Sequence, residues 1–120
     1  METQKESQES TSPLFNFGTA IDWLKKGALV QRKGWNGKGM FLFMRPEFQC
    51  GTDLFATIQS VPTSAKKAIM EVMSPEATFK FTPYISMFAA DQTIVNGWLA
   101  SQTDILANDW QLYTGLPEVK

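Results

Sequence analysis

The run Met40–Met44, MFLFM, constrains this chain more than any other segment. Five apolar residues in succession are too short for a buried helix and suit a strand buried on both faces. Breakers bound the run on both sides. Lys33–Gly39 carries Gly34, Gly37 and Gly39 and an Asn36-Gly37 pair, which marks a turn or loop. Pro46 ends the strand or places its end at a sheet edge.

Other segments read as further strands. Ala28–Arg32 suits a short strand, and Thr78–Phe81 has the alternation of another. Tyr84–Phe88 and Thr93–Val95 read as a hairpin around Ala90-Asp91-Gln92. Trp110–Tyr113 returns as a final strand. Three helices are expected. Asn16–Lys26 places Phe17, Ala20, Ile21 and Leu24 on one face, with Asn16 as its cap and Gly27 as its stop. Thr63–Met73 places Ala65, Ala68, Ile69 and Val72 on one side. Gln102–Ala107 follows Ser101, whose S-x-x-D spacing to Asp104 is close to a capping box. The expected class is α+β: a small, mainly antiparallel sheet with an N-terminal helix and a short C-terminal helix. Residues 1–12 are polar and aperiodic and read as a disordered tail. Residues 13–120 read as a single ligand-binding domain, with residues 46–82 as an elaboration on a smaller core.

At 120 residues and 43% hydrophobic content, the chain can build one core. Its formal net charge of -1 argues against long nucleic acid as a partner, because that binding leans on many Lys and Arg contacts to phosphate. A small anionic ligand needs only a local positive site. Cys50 is the single cysteine, so no intrachain disulfide can form, which fits a reducing compartment. No apolar run reaches the ~18 residues that a membrane span needs, and the first residues lack the apolar core of a secretory signal. A cytoplasmic location with no membrane contact is expected.

The sequence contains no histidine. Neither a Ser-His-Asp nor a Cys-His arrangement can be built from it, and the usual zinc sites lose their commonest ligand. Asp104 and Asp109 could be set up as an acid–base pair, but no nucleophile accompanies them. A non-enzymatic protein without a metal or cofactor is the expectation.

Two segments could hold a ligand. In RKGWNGKGMF, residues 32–41, the glycines let a ligand approach the backbone and Trp35 offers a flat stacking face. Arg32, Lys33 and Lys38 add positive charge beside exposed N–H groups, which suits a phosphate or pyrophosphate, although the P-loop spacing is missing. The bland alternative is a hairpin turn with Trp35 folded into the core. In WLASQTDILANDW, residues 98–110, two tryptophans flank Ser101, Gln102, Thr103, Asp104, Asn108 and Asp109. Such a density of donors and acceptors can read the edge of a base or a ribose hydroxyl. The alternative there is ordinary capping by Ser101 and Thr103, with core tryptophans.

Four pieces in order, NFG at 16–18, RKGWNGKGMF at 32–41, PYISM at 83–87 and WLASQTDILANDW at 98–110, make the chain resemble the Thoeris anti-defence type-two family. The resemblance implies a sponge. Such proteins hold the cyclic ADP-ribose signals of bacterial TIR-domain proteins without cleaving them, so the downstream effector stays silent. Some members also bind the cyclic di- or trinucleotides of CBASS defence. The resemblance further implies a homotetramer with ligand sites between subunits, working in the bacterial host cytoplasm. Carried onto this chain, Trp35 would stack on the ligand base, and Asp104 and Asn108 would bond its polar edges. Phe17 and Arg32 or Lys38 would complete the pocket. Asn36, Ser101 and Gln102 join them as candidate ligand-binding residues. The competing readings are an enzyme that degrades the same signals and a structural or interaction module with no small-molecule ligand.

Overall fold

A computed structural model describes residues 13–36 and 38–115. The tail expected at residues 1–12 lies outside them. The first element is helix α1, Phe17–Lys25. Asn16 stands in extended conformation ahead of it, and its side chain accepts the Thr19 backbone N–H at 2.9 Å. That bond satisfies one of the four donors that a helix start leaves free. Gly27, at φ +92°, turns the chain away from the other end, in a conformation that side chains resist.

The strands then follow. Strand β1 is Val30–Arg32, and a single 3-10 turn at Lys33–Trp35 leads on toward β2, Phe41–Arg45. Strands β5, Tyr84–Phe88, and β6, Ile94–Val95, form the expected hairpin, and β7 is Trp110–Leu112. Between them lies the short helix α4, Gln102–Leu106. The five strands form one antiparallel sheet in the order β6-β5-β2-β1-β7. Register fixes which residues meet. Leu42 sits opposite both Val30 and Met87, and Arg32 sits opposite Trp110.

The core follows from that register. Ala20 and Leu24 of α1 close on Val30, Leu42 and Trp110 of the sheet, each at most 1% exposed. Burying a Leu or Val side chain contributes about 1.5–3 kcal/mol. Strand β2 departs from expectation in one respect. Only Leu42 is fully buried, while Phe41, Phe43, Met44 and Arg45 are half-buried. The strand has one core face, as antiparallel sheets commonly do, rather than two.

Of the described residues, those up to Arg45 and from Tyr84 onward form one unit, and Pro46–Pro83 form a second. In the second unit, β3 (Phe48–Cys50) pairs with β4 (Phe79–Phe81), and helices α2 (Thr52–Thr57) and α3 (Thr63–Val72) accompany them. Its small core is Cys50, Phe55 and Phe79, with the two rings stacked at 4.2 Å. Strand β3 and helix α2 carry no periodic signal in the sequence. Helix α3 falls where expected, but Ala68, Ile69 and Val72 on its anticipated face are exposed, Val72 at 82%. Met70 packs on the small core instead. Among the described residues, no helix is long and apolar enough to cross a membrane.

Candidate functional site

Pairing of β1 with β7 brings the two candidate segments to one end of the sheet. Arg32 ends β1 opposite Trp110, so the loop after Arg32 and the turn before Trp110 are neighbours. Two side-chain groups result, one aromatic and one charged.

The aromatic group centres on Trp110, which is fully buried. Trp35 meets it edge-on with ring centroids 5.4 Å apart. Phe17 lies tilted against it at 5.4 Å, and Trp98 approaches edge-on at 6.4 Å. Edge-to-face and tilted contacts suit the ring quadrupoles, and each adds about 0.5–1.5 kcal/mol beyond its burial. Phe17, Trp35 and Trp98 are only partly buried. Trp35 is thus packed on the core cluster while remaining partly exposed. The sequence set omitted Trp110 and Trp98, which are detectable only as the flanks of the polar segment.

The charged group centres on Arg32. Its Nη1 donates to Asp104 Oδ1 at 2.8 Å, and its Nε donates to Asp109 Oδ1 at 2.7 Å. Asp104 has further duties. Its backbone N–H donates to Ser101 Oγ at 3.1 Å, which caps α4, and its carbonyl accepts the Trp110 indole N–H at 2.9 Å. The helix start, the buried indole and the guanidinium thus converge on one residue. The Asp109 carboxylate also accepts the Gly34 N–H at 2.8 Å. Arg32 beside it holds the Asp109 carboxyl below the usual carboxylate range, against the opposing effect of partial burial. The same bonds, with Asp109 foremost, raise Arg32 above its ordinary value.

The structure joins Arg32, Ser101 and Asp104 in one network and sets Phe17 and Trp35 on Trp110. Asn36, Lys38, Gln102 and Asn108 are exposed on the same two segments. Asn36 adopts the left-handed conformation, φ 58° and ψ 40°, at the end of the 3-10 turn. Arg32 is already matched by two carboxylates, so positive charge for an anion falls to the exposed Lys33 and Lys38 and to backbone N–H groups. Asp109, which the sequence offers as a polar residue and as a possible acid–base partner of Asp104, is instead an ion-pair partner of Arg32. Its partner Arg32 is 77 residues away, and only the β1–β7 register brings them together.

Fold and site define a class: a small α+β domain in which one helix covers an antiparallel sheet and an aromatic wall adjoins a charged one at the sheet's end. The model of the Thoeris anti-defense 2-like domain matches residues 15–113. A protein of Bacillus phage SP01 named Thoeris anti-defense 2 is 34% identical over 100 residues, covering 81% of this chain and 92% of its own. The chain belongs to the Thoeris anti-defense 2-like family.

Proposed function

We propose that this protein is a phage-type anti-defence sponge. It binds a cyclic ADP-ribose-type signal in the host cytoplasm and holds it uncleaved, away from the Thoeris effector. One observation carries the reading: the partly buried Trp35 ring packs edge-on against Trp110, and Arg32, three residues before it, is bonded to both Asp104 of α4 and Asp109. An adenine base can stack on Trp35. The exposed Gln102 and Asn108 offer hydrogen bonds to base edges or ribose hydroxyls, and Lys33 and Lys38 draw in the pyrophosphate. Phe17 and Trp110 back the stacking wall. Assembly as a homotetramer, with each site completed by a neighbouring subunit, belongs to the same proposal, as does binding of cyclic di- or trinucleotides by the family's other mode.

Sequestration needs no catalytic base, metal or activated nucleophile. Asp109 is held ionised by Arg32, which unfits it to donate a proton at neutral pH. Asp104 spends Oδ1 on the same guanidinium. Chemistry of this kind favours holding a ligand over breaking it.

Calorimetric titration with cyclic ADP-ribose isomers and cyclic dinucleotides tests the proposal. At least one cyclic ADP-ribose isomer binds, and Trp35→Ala weakens that binding by about 1–3 kcal/mol, the usual worth of one base stacked on an aromatic ring. Trp35→Ala stays folded by circular dichroism, because its ring is only partly buried. Absence of binding by every ligand points instead to an interaction module with no small-molecule site.

A further inference from the structure

Asp109 is tied to three consecutive residues. Its carbonyl accepts the Lys33 N–H at 2.9 Å, its Oδ2 accepts the Gly34 N–H at 2.8 Å, and its Oδ1 accepts Arg32 Nε at 2.7 Å. Those three residues lead directly into Trp35. The 3-10 turn has little of its own to hold it: the Asn36 N–H donates to Lys33 O at 3.0 Å. One such turn is weak in isolation, since 3-10 bonds are poorly aligned and a first turn costs more order than it returns. Beside the packing of Trp35 on Trp110, Asp109 is thus what holds the turn that carries the ring.

Gly34 supplies an independent observation. A Cβ added there would stand 2.8 Å from Asp109 Oδ2 and 3.1 Å from Arg32 Nη2. The first distance is shorter than real Cβ contacts allow. A side chain at position 34 would force the Asp109 carboxylate, and with it the Arg32 guanidinium, to shift. Arg32 in turn anchors on Asp104 of α4, so one chain of bonds runs from the stacking wall to the polar wall.

We infer that Asp109 is a positioning residue for ligand binding, setting Trp35 in its stacking place before the ligand arrives, with Gly34 present to admit its carboxylate. The inference rests on the sequestration reading for its ligand. Its physical content is preorganisation: a loop already ordered in the bound arrangement does not lose that freedom again on binding. An amide at position 109 presents one acceptor where the carboxylate presents two, so Asp109→Asn breaks at least one of the side-chain ties.

The test uses full-length protein labelled with 5-fluorotryptophan, with the Trp35 ¹⁹F line assigned through Trp35→Phe, and cyclic ADP-ribose isomers as titrants. Asp109→Asn and Gly34→Ala each weaken binding by about tenfold or more, as loss of a preorganised wall should. In the ligand-free protein both substitutions move or broaden the Trp35 line and leave the Trp23 line in place. In an Asp109→Ala background the nearer partner of the Gly34 clash is gone and Arg32 loses one of its two carboxylates, so adding Gly34→Ala costs clearly less affinity than it does in the wild type. A surface substitution, Asp91→Asn in the β5–β6 turn, changes neither readout. Wild-type affinity in Asp109→Asn with an unmoved Trp35 line overturns the inference. So does a Gly34→Ala penalty of equal size with and without Asp109. A wild-type protein that binds no cyclic ADP-ribose isomer sinks the sequestration reading instead, and the ligand-free ¹⁹F spectra still decide whether Asp109 sets Trp35.

Discussion

Asp104 and Asp109 sit on one guanidinium, yet they are held differently. Asp104 is locked by its backbone as well as its side chain, through the Ser101 cap and the Trp110 indole. Asp109 takes the Arg32 Nε and the Gly34 N–H on its carboxylate, and the Arg32 bond foremost favours its ionised form. The consequence for pH has a definite sign. A carboxyl whose folded pKa is depressed contributes stability that is present above its unfolded value, near 3.9, and lost as pH falls through the lower folded value. The stability difference between wild type and Asp109→Asn should accordingly stay constant from about pH 5 to 8 and shrink below about pH 4. Urea unfolding across that range checks it. A difference that grows toward acid would mean that Asp109 is not held ionised by Arg32.

At the scale of elements, helix α4 shows how a weak piece of structure can bear a site. It runs only from Gln102 to Leu106, and none of its residues is fully buried. Packing contributes little, so its start signal matters in proportion. Ser101→Ala removes the side-chain acceptor for the Asp104 N–H and should cost about 1 kcal/mol, typical of a lost N-cap. Because Asp104 carries Arg32, the same substitution should also weaken ligand binding, read by calorimetry beside the unfolding midpoint. A stability loss with unchanged affinity would detach α4 from the site. This helix and α1 were legible in the sequence because caps and glycine stops are local signals: Asn16, Gly27 and Ser101 each do what their neighbours dictate. The main-sheet strands were legible for a similar reason, since turn residues and alternation bracket them. Strand β3 and helix α2 were not. FQC is too short for alternation to declare itself, and TDLFAT is a six-residue helix in which only Phe55 is buried. The exposed face of α3 misled for a related reason. Helical spacing shows that residues share a side, but not which side finds a core. In the site, the two segments could be recognised separately. The Arg32–Asp109 and Trp35–Trp110 contacts could not, because they exist only through the β1–β7 register.

Over the whole molecule, the second unit enters the first at a simple place. Arg45 and Tyr84 end their strands as directly paired residues. Paired residues of antiparallel strands lie about 4.5–5.5 Å apart, a gap that a two-residue turn can close. Replacing residues 46–83 by Asn-Gly should therefore leave the five-stranded sheet intact, checked by circular dichroism and amide exchange of β2 and β5. The aromatic and charged walls all come from the first unit, so cyclic ADP-ribose binding should survive as well. Loss of binding in a folded variant would assign part of the site to residues 46–83.

The account's central claim is that the protein holds its signal without breaking it. Mixing the purified protein with a cyclic ADP-ribose isomer at concentrations above the dissociation constant, filtering, and then heating the protein fraction tests this most directly. The filtrate should be depleted of ligand, and heat should return it chemically intact and in full, as shown by mass and chromatographic position. Recovery of a linear or otherwise degraded product would contradict the claim and mark the protein as an enzyme.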